Sequence, residues 1–342
     1  SLWMQMLYNS YPLWSIIPED FCYDEGHCDP YAWGDMFPSC HPILEEHHSP
    51  INLDHHMIRN ESLEALNLDG FDSVHTGQWK LKNNGHSGDV LIITCLVFVC
   101  SFAWRLGMGC LWLVEVFQGC TTLSAPLSLG KPELQRLEHT VDRHRYPMEG
   151  YSDMHIVNMK SSHPNLTSAL EDPTGLAVLG FFIDLNYIDH EHFGQISNLL
   201  PTIAYKGQTV SVKPFPLISL LPERHLSKYY RYHGSLTTPP CSRAVLWTMY
   251  EVPIFISWSQ FEQFATGIFS TKRDEKLVSH LHDNFRHIHP TFGRSIYASK
   301  DAKLLSATAT NLFLPLLLIL LLQMTNCWAH LWTVGLGSGL FY

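Results

Sequence analysis

Histidine supplies most of the chemistry this chain could perform, with 21 among 342 residues. His155 stands in an apolar run, Met154-His155-Ile156-Val157, where a histidine is either a packed core residue or a ligand carried by a strand. Three further pairs have a single residue between them: His190 and His192, His280 and His282, His287 and His289. On a strand such a pair points to one face, because side chains alternate with a period of two. Three neutral imidazoles on neighbouring strands can hold zinc, leave one coordination position open and bring the pKa of bound water to about 7. His86 follows Asn83-Asn84-Gly85, and an imidazole with an ordinary pKa near 6.5 can pass protons to buffer. With so many histidines, spaced pairs also arise by chance. No CxxC pair occurs among the nine cysteines, which excludes a zinc ribbon or thioredoxin-type motif.

The elements that must position these residues read mainly as strands. Residues 18–89 are rich in Pro, Gly, Asp and His and read as loops with short strands. Leu176–Leu185 and Ala244–Tyr250 are short apolar runs of strand type between turn formers. One helix is clear: Ser257 with Gln260 makes a capping box, and Phe261, Phe264, Ala265 and Ile268 then share an apolar face. The length suits one domain of roughly 250–300 residues plus tails. A hydrophobic content of 46% against 16% charged residues indicates a folded chain. The formal charge of -10, with no basic stripe, argues against a nucleic-acid partner.

Seven segments stand in a telling order: Ser49-Pro50-Ile51-Asn52, Asn83-Asn84-Gly85-His86-Ser87, Glu138-His139-Thr140-Val141-Asp142, Met154-His155-Ile156-Val157, Gly175–Gly180, Tyr232–Pro240 (YHGSLTTPP) and Asn284-Phe285-Arg286. Together they resemble the carbonic anhydrases of the alpha class, over roughly residues 20–89 and 138–299. The resemblance implies a mostly β, single domain over residues 18–299, with a large twisted, mostly antiparallel central sheet and short peripheral helices. It implies reversible hydration of carbon dioxide to bicarbonate and a proton by zinc-bound hydroxide. It makes His155 the third zinc ligand and His86 the proton shuttle. Thr237 becomes the acceptor of the hydroxide's hydrogen bond, with Glu138 accepting the threonine's own proton. Val157, Val178, Leu236, Val245 and Trp247 become the apolar wall that receives carbon dioxide.

The cysteines resemble those of the family's membrane-anchored extracellular branch, which implies one bridge from Cys22 to Cys28 and another from Cys40 to Cys241. The sequons at Asn60 and Asn165 fit a secreted glycoprotein. Residues 1–17 are mildly apolar and read as the remnant of a signal peptide. In the tail, 300–342, Ser306, Ala307 and Thr308 precede the 11-residue apolar run Leu312–Leu322, an order that resembles a glycolipid-anchor signal. Twenty further residues follow that run, so a membrane-associated helix is the other reading. Either one puts the domain at a membrane, with the extracellular face of the plasma membrane expected.

One part of the pattern is missing. The family's first two ligands form a His-x-His pair before Trp-Gly, due here between Asn84 and Glu138, yet residues 90–137 contain no histidine. A single imidazole cannot hold zinc usefully, so this chain is expected to be impaired as a catalyst. A zinc-free binding module on the same fold is the alternative. The resemblance is lost at Val90 and regained at Glu138, as expected of a stretch that is not genuine coding sequence, such as a retained intron. A membrane span over Val90–Phe117 is a further reading. None of the three spaced histidine pairs is expected to replace the lost ligands. Gly150-Tyr151-Ser152-Asp153 reads as an insertion that parts Glu149 from Met154 and breaks the outer contact to His155. His48 stands where the family has glutamine, and Asn158 where it has histidine.

Overall fold

A computed structural model describes residues 21–23, 29–54, 56–74, 79–86, 90–104, 111–124, 139–141, 152–222, 224–281 and 284–304. Twelve strands run through the described residues: β1 (Asn52–Leu53), β2 (Ile58–Arg59), β3 (Trp79–Lys82), β4 (Val90–Trp104), β5 (Leu111–Ser124), β6 (Thr140–Val141), β7 (Ser152–Met159), β8 (Leu176–Asn186), β9 (Thr209–Val212), β10 (Tyr229–Gly234), β11 (Val245–Ser257) and β12 (Tyr297–Ala298). Eight of them form one sheet in the order β2-β12-β10-β11-β8-β7-β5-β4. β2 with β12 and β8 with β11 are parallel; every other neighbouring pair is antiparallel. The mostly antiparallel sheet with short helices is therefore observed as expected.

β8 lies at the centre, and its sequence explains why. Leu176 to Ile183 are all buried, the near-continuous apolar pattern of a strand covered on both faces. Its partner β11 contains Glu251-Val252-Pro253, and the register slips between Tyr250 and Ile254. Proline cannot donate to the ladder, so a bulge at this point lets the strand continue to Ser257. The helix Trp258–Gly267 starts there with the reciprocal capping box between Ser257 and Gln260. Gln260 also clamps the preceding loop, accepting from the His190 amide at 2.8 Å and donating to the His190 carbonyl at 2.8 Å.

The period-two rule then divides the sheet into two faces. Met154 and Ile156 of β7, Leu179, Phe181 and Ile183 of β8, and Leu246 and Tyr250 of β11 join one large core with Phe193, Ile196, Phe261 and Phe264. The alternate residues, including His155, Val157, Val178, Val245 and Trp247, belong to the other face. A smaller buried cluster of Phe21, Trp33, Cys40 and Cys241 sits outside the main core.

β4 and β5 take in residues 90–104 and 111–124. They pair antiparallel from Val90↔Leu123 to Trp104↔Leu111, and β5 then joins β7. Within the described residues the apolar stretch forms two paired strands at the sheet edge. No helix among the described residues is long and apolar enough to cross a membrane. Residues 1–17 and the apolar run Leu312–Leu322 lie outside the described residues.

The turn that leads into β8 carries a test of acid sensitivity. Asp172 Oδ1 accepts from the Thr174 amide at 2.8 Å, and Oδ2 lies 2.9 Å from His163 Nε2 and 3.4 Å from Lys160 Nζ. Burial would raise this carboxyl, but the Thr174, His163 and Lys160 contacts outweigh it and hold it well below the usual carboxylate range. The unfolded chain takes up this proton near pH 4 and the folded chain only at lower pH. The stabilisation is therefore complete above about pH 4 and lost as pH falls. Urea unfolding near pH 6 and near pH 2.5 should show a smaller acid-induced loss in Asp172→Asn than in the parent.

Candidate active site

His155 occupies the middle of β7, opposite Gly180 on β8 and Ser124 on β5. Two residues earlier, on the same face, Asp153 Oδ2 accepts from His155 Nε2 at 3.0 Å. The expected break in this outer contact is therefore corrected: an aspartate in the strand itself performs the hold, because residues i and i−2 share a face. Glu149 lies outside the described residues. His139 Nδ1 stands 3.6 Å from the same carboxylate, and its Nε2 is 2.6 Å from the Tyr232 hydroxyl. Tyr232 continues to Ser49 Oγ at 2.9 Å, and Ser235 donates its amide to that oxygen at 3.1 Å. Trp247 donates Nε1–H to the Ser235 carbonyl at 3.0 Å, and its ring lies 4.9 Å from that of His155 and 4.7 Å from that of His139.

All of these groups are buried. Burial by itself would raise the Asp153 carboxyl, but the His155 and His139 imidazoles outweigh it and keep it well below the usual range. Burial lowers the pKa of His139, against the pull of Asp153. The result is a carboxylate flanked by two imidazoles, hydrogen-bonded to His155 and 3.6 Å from His139 Nδ1, which has no hydrogen-bond partner among the described residues. His139 and Tyr232 stand within the quoted motifs, yet their contact to each other is a tertiary fact.

The chain leaves little room for added atoms. A Cβ built on Gly234 would lie 2.2 Å from Ser49 Oγ and 2.8 Å from Tyr232 Cε2. Gly234→Ala should displace both and lower stability by about 1–3 kcal/mol in thermal unfolding, as overpacking does.

The remaining predicted residues are placed as follows. Val157, Val178 and Trp247 are register partners across β7, β8 and β11, and Val245 pairs with Leu176 of β8. All four are buried, as are Leu236 and Thr237. The loop that carries Thr237 closes through Leu236 N to Ser242 O at 3.0 Å and Cys241 N to Thr238 O at 2.9 Å. Cys241 is bridged to Cys40 across a separation of 201 residues. Cys22 is disulfide-bonded, while Cys28 and Glu138 lie outside the described residues. His86 is 8% exposed and stacks on Phe21 with ring centres 4.2 Å apart, so the setting is more enclosed than its loop-like sequence suggests. Asn60 and Asn165 are both half-buried, and Asn165 caps a helical turn by accepting from Ser168 N.

Among the described residues, those around His155 do not fit a zinc ion held by three imidazoles. β7 contributes one histidine, and the β5 positions opposite Val157, Ile156 and His155 are Thr122, Leu123 and Ser124. His139, Asp153 and His155 offer ligand atoms within 4.8 Å of one another, one imidazole short of three; Asp153 Oδ2 already accepts from His155 Nε2, and His139 Nε2 meets Tyr232.

A largely antiparallel eight-stranded sheet that carries a buried His–Asp–His chain beside a disulfide-pinned SLTTPP loop defines the class. The chain belongs to the eukaryotic-type carbonic anhydrase family, whose model matches residues 28–97 and 129–300. The match continues to residue 97 and resumes at 129, so the unmatched stretch is shorter than 90–137. The chain is 32% identical to carbonic anhydrase 15 of Mus musculus over 325 residues, 94% of this chain and 91% of the relative. It is 31% identical to human carbonic anhydrase 12 over 295 residues, covering 85% and 76% of the two chains. It is also 31% identical to carbonic anhydrase 4 of Mus musculus, covering 80% and 82%. Members of this family hydrate carbon dioxide and use zinc.

Proposed function

We propose that this chain carries the scaffold for reversible hydration of carbon dioxide to bicarbonate, and that its own catalysis is impaired because the zinc ligands are reduced to His155. The observation behind this reading is the register: β5 sets Thr122 and Ser124 opposite Val157 and His155, and residues 90–137 hold no histidine. In the same reading Thr237 and Glu138 pair as hydroxyl and carboxylate, and His86 moves protons to buffer. Val157, Val178, Leu236, Val245 and Trp247 wall the carbon dioxide pocket. A zinc-free binding module is the second reading, favoured by the hydrogen bond that already ties Asp153 to His155.

The domain, residues 18–299, is read as extracellular and held at the plasma membrane by its tail, residues 300–342. The Cys40–Cys241 bridge supports an oxidising compartment, and the sequons and the apolar run support secretion and anchoring. The full chain, purified and followed by stopped flow, should hydrate carbon dioxide at close to the uncatalysed rate. A fast rate that is lost in His155→Ala would overturn the impairment. Sequencing the transcript across the codons for residues 84–142 tests its origin: a His-x-His-Trp segment there would restore the zinc enzyme.

A further inference from the structure

A second group of imidazoles lies beyond the Ser49–Tyr232 chain and shares no residue with the His155 cluster. The segment after Arg286 runs alongside Pro50 and Ile51, with His289 N donating to Pro50 O at 2.9 Å. His287 and His289, one residue apart on this extended stretch, bring their rings to 4.3 Å between centres. Glu45 reaches them from the helical turn Pro42–His47, with Oε1 3.2 Å from His289 Nδ1. One ligand atom each from Glu45, His287 and His289 falls within 4.8 Å of the others. His289 is 2% exposed, and its Nε2 and the buried His287 Nδ1 have no hydrogen-bond partner among the described residues. Buried nitrogens left in this way are costly unless something occupies them.

We propose that Glu45, His287 and His289 form a divalent transition-metal site, suited to zinc or copper, separate from the His155 pocket. Two imidazole nitrogens and one carboxylate oxygen are a borderline donor set, which favours these ions over magnesium or calcium. His48 is not a ligand, although its ring lies 5.1 Å from that of His289. Its Nε2 donates to Ser39 O at 2.8 Å and its Nδ1 accepts from Arg286 Nη2 at 3.1 Å, so both nitrogens are engaged. Arg286 and Arg294 oppose a cation here, while Glu45 offsets them and leaves the site reachable at 32% exposure.

The test is equilibrium dialysis of the full chain with zinc, and separately copper, at neutral pH. Loss of an outer-shell partner typically weakens metal binding 10–100-fold. Loss of a direct ligand should cost at least as much, so His287→Ala and Glu45→Gln should each weaken binding by about tenfold or more. His155→Ala should leave it unchanged. Glu45→Gln keeps the shape of the side chain, and near-UV circular dichroism checks that each variant is folded. With copper bound, electron paramagnetic resonance should show coupling to two nitrogens, reduced to one in His287→Ala. Absence of uptake by the parent, equal binding by both variants, or loss of binding in His155→Ala would each overturn the site.

Discussion

Joint replacement Thr122→His and Ser124→His is expected to build a three-imidazole zinc site around His155. Ser124 is the register partner of His155, and Thr122, two residues earlier on β5, shares the face of Ser124. Directly opposed residues of an antiparallel pair stand about 4.5–5.5 Å apart at Cβ, close enough for two imidazoles to share one ion. The pair on β5 with His155 on β7 would then supply three imidazoles from two adjacent strands, with Asp153 already holding the outer nitrogen of His155. Binding of about 8 kcal/mol or more, a dissociation constant near micromolar or tighter, is the expected gain. The measurement belongs in a His287→Ala background, so that the Glu45 cluster does not contribute. Leu123→His is the control, because residue 123 takes the opposite face and should add nothing. Equal zinc uptake by the double variant and the parent, or by the control and the double variant, would show that β5 does not present these positions to His155.

Removing the long disulfide should have the largest effect on stability. Cys40 and Cys241 close a loop with a sequence separation of 201, and the chain-entropy account gives about 3–5 kcal/mol for such a bridge. Cys241 also adopts φ of 56°, a left-handed conformation that a non-glycine residue holds only when its surroundings impose it. Its side chain packs in the small cluster of Phe21, Trp33 and Cys40, away from the main core. Cys40→Ser with Cys241→Ser should lower the unfolding free energy by that amount in urea. It should also speed amide exchange over residues 236–242, the loop that carries Thr237. An unchanged midpoint together with unchanged exchange would mean that the loop is held by the Leu236–Ser242 and Thr238–Cys241 hydrogen bonds alone.

Much of the fold was legible along the chain. The apolar run Leu176–Leu185 became β8, and Ser257 with Gln260 capped the helix Trp258–Gly267, because both signals are local. The ordered motifs were enough for the family, and the absence of histidine from residues 90–137 was plain from the residues alone. How the apolar residues there pair was not: an apolar run does not name its partners, and the strands β4 and β5 with the link to β7 are seen only in the assembled sheet. Proline 253 would have ended β11, yet the bulge against β8 carried the strand onward. Asp153 was read as part of an insertion because counting from Glu149 ignores which residues share a face. Glu45 and His289 meet across 244 positions, a distance over which residue spacing carries no information about contact. Sequence by itself determined the family, the local elements and the absence of histidine from residues 90–137. Tertiary structure decided which face each side chain joined and which distant groups became neighbours, because strand register and burial are properties of the assembled sheet.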